Sequence, residues 1–105
     1  MTEPALTEDA WKSRIVATAQ LHGWRCAHFR VARTNKGWRT PVEGDRGLPD
    51  LVLAKNGVVL LAELKTDRGK LGPGQGEWLQ ALGEHGRLWR PRDWKDVLHE
   101  LKEAA

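Results

Sequence analysis

The chain has 105 residues, a formal net charge of +3 and a 40% hydrophobic content, figures that suit one ordinary globular domain, spanning 1–105, with room for a single modest core. No apolar run approaches the roughly 20 residues a membrane span needs, and the opening MTEPALTEDAWK is acidic without the apolar stretch of a secretory leader. The expectation is a soluble, cytoplasmic protein with no membrane partner. The single cysteine, Cys26, excludes an internal disulfide and a cysteine-rich zinc site and reads as a small buried hydrophobe. The histidines (His22, His28, His85 and His99) show no paired metal spacing.

Thr7 reads as an N-cap with Glu8 and Asp9 in the favourable first turn. A helix from about Glu8 to His22 places Trp11, Ile15 and Ala19 on one face, and Gly23 ends it. Glu8 lies two turns before Ile15 and so points along the same side, either as a core-directed carboxylate or as a plain partner of the helix dipole. Trp24 to Val31 reads as a strand with Ala27, Phe29 and Val31 on one face. Arg33 to Gly47 has no period and is rich in glycine, proline and basic residues, which predicts a long loop. Trp38 inside it is suited to stacking on a base or to packing the loop onto the domain.

Two apolar runs around Asn56-Gly57 predict a hairpin with a two-residue turn. A Gly/Pro-rich turn, Gly69 to Gly74, leads to a helix from about Gln75 to Gly83 with Gln75, Trp78, Leu79 and Leu82 on one stripe. A short strand around Arg87 to Arg90 follows. Asp93 then caps a final amphipathic helix carrying Trp94, Val97, Leu98 and Leu101. The order αβββαβα argues a single α/β domain with a mixed sheet flanked by helices.

Charge is distributed unevenly. Arg25, Arg30, Arg33, Lys36 and Arg39 fall between His22 and Pro41 without an acid; Lys65, Arg68 and Lys70 follow the hairpin; Arg87, Arg90 and Arg92 come near the end. Such clusters suit either a phosphate backbone or a solubilising surface.

The hairpin carries the sharper signal. An ideal turn at Asn56-Gly57 pairs Lys55 with Val58, Val52 with Leu61 and Asp50 with Glu63, and Lys65 lies two residues along on the same face. Glu63 and Lys65 alone would pass for an exposed ion pair, with Asp50 capping a turn. Directly opposed carboxylates repel, however, unless a cation lies between them. Oxygen-only donors suit a hard ion such as Mg²⁺ or Mn²⁺, which polarises phosphoryl oxygens and lowers the pKa of a bound water.

With Pro49-Asp50 and Glu63-Leu64-Lys65, the chain resembles the PD-(D/E)-x-K nuclease superfamily. More narrowly, it is similar to the virus-type replication-repair nuclease (VRR-NUC) domain of stand-alone phage and bacterial type. The likeness runs through Thr7-Glu8, Gly23-Trp24, Gly47-Leu48-Pro49-Asp50-Leu51, Gly69-Lys70-Leu71, Pro73-Gly74-Gln75, Trp78-Leu79 and Gly86. It implies a restriction-endonuclease-like fold with an αβββαβ core plus a C-terminal helix. It also implies metal ligation by Asp50, Glu63, the Leu64 carbonyl and Glu8, with Lys65 and Gln75 completing the catalytic set. Gly72 departs from the pattern, standing where Ser or Thr often caps the helix, and the Arg33–Gly47 loop is longer than in short relatives. His28 either lines the site from the neighbouring strand or is a buried histidine.

The resulting expectation is a Mg²⁺- or Mn²⁺-dependent endonuclease of a bacterial or phage-infected cell. The resemblance implies action on branched DNA such as Holliday junctions, and a homodimer in which some of the six tryptophans serve the interface. Arg30, Arg33, Lys36, Trp38, Arg39, Arg68 and Lys70 would hold the DNA. The rival readings are a DNA-binding module with a vestigial site and an accessory dimer.

Overall fold

Asn56 and Gly57 both have positive φ, 49° and 84°, the type I′ combination that matches the twist of a tight hairpin. The turn joins β4 (Leu51–Lys55) to β5 (Val58–Leu64), pairing Lys55 with Val58, Ala54 with Val59, Leu53 with Leu60, Val52 with Leu61 and Leu51 with Ala62. This is the register expected from the turn. The structure is a computed structural model and describes residues 6–29, 32–34, 37–39 and 43–103.

Around the hairpin the sheet is completed by β1 (Arg25–His28), antiparallel to β4, and β6 (Gly86–Trp89), parallel to β5, in the order β1-β4-β5-β6. The parallel pair needs a crossover, and α2 (Gln75–Leu82) supplies it, packing on β6. With α1 (Glu8–Leu21) at the start and α3 (Trp94–Glu103) at the end, the molecule is an α/β fold with a four-stranded mixed sheet flanked by helices.

Alternation along β4 and β5 sends Leu51, Leu53, Leu60, Ala62 and Leu64 to one face, all buried. There they meet Trp11, Ile15 and Ala19 of α1, Val97 and Leu101 of α3, and Trp89. Two indoles fasten this layer through backbone carbonyls: Trp11 Nε1 donates to Trp89 O (3.0 Å) and Trp24 Nε1 to Leu101 O (3.0 Å). Thr7 caps α1 as expected, its hydroxyl accepting from Ala10 N–H at 3.1 Å.

Several expectations need correction. The stretch predicted as a loop from Arg33 to Gly47 contains a two-stranded antiparallel ribbon, β2 (Ala32–Thr34) with β3 (Gly37–Arg39), in which Arg33 pairs with Trp38. Three-residue strands are too short to show a period of two. The strand predicted over Trp24–Val31 is only Arg25–His28, and Val31 lies outside the described residues. Within it Ala27 and Phe29 share a face as expected, opposite Val52 and Asp50, and Cys26 on the other face packs against the core. Asp93 does not cap α3; it ends a 3₁₀ turn, Pro91–Asp93, and accepts from the Arg90 N–H at 3.0 Å.

Four tryptophans are engaged within the fold. Trp11, Trp24 and Trp89 are buried, Trp94 meets Trp11 edge-on at 5.9 Å, and the Arg14 guanidinium covers Trp94 at 5.4 Å. No helix of the described residues is long and apolar enough to cross a membrane.

Candidate functional site

Glu63 falls on the face of β5 that points away from the main core, yet it is only 1% exposed. Three predicted site residues enclose it. Asp50 stands immediately before β4, one step beyond the Leu51–Ala62 pair and so opposite Glu63. Its Oδ2 accepts a long 3.4 Å hydrogen bond from the Leu64 N–H. Lys65, two residues along β5's direction, brings its Nζ to 3.5 Å from Glu63 Oε1. Gln75, on the first turn of α2, donates from Nε2 to the same oxygen at 2.8 Å. The amide of Gln75 is itself oriented, because its Oε1 accepts from the Gly72 N–H at 2.6 Å. Gly72, at the position of the expected hydroxyl cap, thus serves through its backbone, and Gly74 is the N-cap of α2 with no side-chain bond.

The second oxygen of Glu63, Oε2, is buried without any hydrogen-bond partner. Burial, then the neighbouring Asp50 charge, push the Glu63 carboxyl up to about 8 from an ordinary 4.5, while Lys65 pulls the other way. An unsatisfied buried carboxylate oxygen is costly unless a partner completes it. The donors that converge here are carboxylate oxygens, with the Leu64 peptide between Glu63 and Lys65, and a divalent cation fits that donor chemistry. A cation would satisfy Oε2 and turn the Asp50–Glu63 repulsion into shared attraction.

Glu8 stands apart from this pair. It is exposed on the first turn of α1 and lines a cleft of about 500 Å³ that also includes Asp9, Lys12, Phe29, Arg46, Leu48 and Asp50. Among the described residues no three acidic, histidine or cysteine side chains gather in a metal-holding group. Of the expected metal donors, Asp50 and Glu63 stand opposite each other, and Glu8 shares the cleft with Asp50. His28 does not line the site: it pairs with Leu51, on the sheet face opposite Asp50, and is exposed beside α1 residues Asp9, Lys12 and Val16.

Two supports were not legible in the residue pattern. Arg90 donates through Nη1 to the carbonyls of Thr66 (2.7 Å) and Gly69 (2.5 Å), and the Arg92 N–H donates to Asp67 Oδ1 (2.9 Å). The turn after Lys65 is thus clamped to the end of β6. Gly47 and Gly74, both with positive φ, touch backbone to backbone. A Cβ on either would overlap the other strand of chain, which is how the segment before Asp50 docks on the start of α2.

The expected DNA contacts divide. Arg68 and Lys70 are exposed beside the site. Arg33, Trp38 and Arg39 lie on the β2–β3 ribbon, whose backbone alone is described, and Arg30 and Lys36 lie outside the described residues. In the third basic cluster, Arg87 is committed to Glu100 (2.8 Å) and Arg90 to the clamp, so both act internally. Lys12 and Arg46 are cleft cations that the sequence reading missed; the one available signal was Lys12 lying one turn after Glu8. Neither a protein-family model nor a curated protein matches the chain.

Proposed function

We propose that the chain is a metal-dependent endonuclease that hydrolyses DNA phosphodiester bonds, a restriction-endonuclease-like domain of the VRR-NUC kind. The observation that carries this reading is the meeting of Asp50, Lys65 and Gln75 around the buried Glu63 carboxylate, whose second oxygen has no partner. A DNA-binding module would gain nothing from burying acids beside a phosphate path.

Asp50 and Glu63 would hold Mg²⁺ or Mn²⁺. The ion supplies charge neutralisation and Lewis acidity toward a phosphate ester. Gln75 fixes the Glu63 carboxylate by occupying Oε1, so that Oε2 remains free to bind. Lys65, partly exposed at 17%, offers an ammonium toward solvent at the same edge. There it would offset negative charge building on the phosphoryl oxygens as water adds to phosphorus and the P–O bond breaks. Arg68 and Lys70 would hold flanking phosphates. Branched DNA, with a homodimer presenting two sites, is the substrate and assembly that the resemblance favours.

The test is cleavage of single-stranded, duplex, flap and four-way-junction DNA with Mg²⁺ or Mn²⁺, comparing wild type with Asp50→Asn and Lys65→Ala. Metal-dependent cutting lost in both variants is expected. Equal activity in all three proteins, or none in wild type on any substrate, would overturn the reading.

A further inference from the structure

Phe29 and Asp50 are neighbours across the sheet. The Phe29 N–H donates to the Asp50 carbonyl at 3.4 Å, one step beyond the His28–Leu51 pair. Asp50 stands opposite Glu63 in the same way, and Glu63 pairs with Leu88. Phe29, Asp50 and Glu63 therefore occupy one row across three adjacent strands, about 5 Å apart from strand to strand. Phe29 is 36% exposed and lines a cleft with Asp50, bordered by Asp9 and Lys12 of α1.

The cleft that contains Phe29 and Asp50 has about 500 Å³ of space, walled by the first turns of α1 and by the segment 44–48. Its polar lining is unbalanced. Glu8, Asp9, Asp45 and Asp50 outnumber Lys12 and Arg46, so its interior repels a phosphate. Carboxylates instead accept hydrogen bonds from the ring N–H and amino groups on base edges, and an exposed phenyl offers a stacking face. The two cations suit phosphates on either side.

Resting on the nuclease reading, we propose that this cleft receives one unstacked nucleobase next to the phosphate held at Asp50, with Phe29 as its stacking platform. A base can reach it only by leaving the helix, so the site selects DNA with an unpaired nucleotide at the point of cleavage: single strands, bulges, flaps and frayed branch points. Paired duplex is disfavoured because unpairing and unstacking cost a few kcal/mol per base.

The test measures binding by fluorescence anisotropy in EDTA, where no cleavage occurs, using a labelled single strand, a duplex with one unpaired 2-aminopurine, and the fully paired duplex. Wild type should bind the unpaired probes more tightly and change 2-aminopurine emission. Phe29→Leu, which keeps apolar volume but removes the ring, should weaken the unpaired probes about 5- to 150-fold and leave the paired duplex unchanged. Phe29→Trp should restore the preference. A wild type without preference, or a Phe29→Leu loss equal on paired and unpaired DNA, overturns the proposal. Cleavage measured separately in Mn²⁺ keeps the two readings distinct. Cutting without Phe29-dependent selection sinks this inference alone, whereas selective binding without cutting sinks the nuclease reading.

Discussion

Gln75 reaches Glu63 from a different element, 2.8 Å from Nε2 to Oε1, while its own carbonyl oxygen is held by the Gly72 N–H. One neutral amide therefore decides which oxygen of a buried carboxylate is occupied and which is left open. The relation joins the sheet to the crossover helix at Glu63, the buried charged residue among the described ones.

Replacing Gln75 tests that relation. Gln75→Leu removes a donor to a buried acid and should cost about 1–3 kcal/mol of stability. Gln75→Glu adds a third carboxylate and should cost more in EDTA, with Mn²⁺ restoring much of the difference because a cation reverses the repulsion. Denaturant titrations with and without Mn²⁺ read both effects. A Gln75→Glu protein as stable in EDTA as wild type would show that Glu63 does not feel position 75.

The raised Glu63 pKa has a definite sign for stability. Between 4.5 and about 8 the folded protein keeps a proton that the unfolded chain releases. The contribution is then fully present below 4.5 and is lost as pH rises toward 8, by at most about 1.4 kcal/mol per pH unit. Metal-free wild type should lose stability across that window, whereas Glu63→Gln should be flat there and more stable at the alkaline end. Mn²⁺, by favouring the ionised form, should remove the decline. Parallel wild-type and Glu63→Gln slopes in EDTA would sink the assignment.

Gly74→Ala separates close approach from backbone strain. At Gly44, also at positive φ, an added Cβ meets nothing within 4 Å, so Gly44→Ala should cost only the left-handed penalty of about 1–2 kcal/mol. At Gly74 the same methyl overlaps the Arg46 carbonyl, so the loss should be clearly larger. Increased hydrogen exchange over 44–48 and weaker Mn²⁺ binding should accompany it.

Arg90→Met should release the Thr66 and Gly69 carbonyls and cost about 2–3 kcal/mol, since these are hydrogen bonds from a charged donor. The turn after Lys65 should then exchange faster while the Leu51–Leu64 hairpin stays protected. Arg90→Lys recovers at most one of the two bonds, because an ammonium on a flexible stem lacks the guanidinium's fixed fork. Unchanged exchange at 66–69 in Arg90→Met would count against the clamp.

Much of this was legible locally. Asn56-Gly57 demands one turn type, that turn demands one register, and the register alone sets Asp50 opposite Glu63 with Lys65 beside them. Thr7 and the Trp11–Ile15–Ala19 face of α1 were equally plain, since capping and helical spacing act within a few residues. The β2–β3 ribbon was not, being too short for a period.

The sequence by itself determined the hairpin, its register and the acid pair, because those follow from backbone geometry at two turn residues. Only the tertiary structure decided how the charges are used. It spent Arg87 and Arg90 on internal partners, left Glu8 on a cleft wall, and brought Gln75 across 12 positions to one oxygen of Glu63. Side chains distant in sequence meet only when helices choose a sheet face. That choice, made by the buried apolar layer, put a polar pocket on the other side.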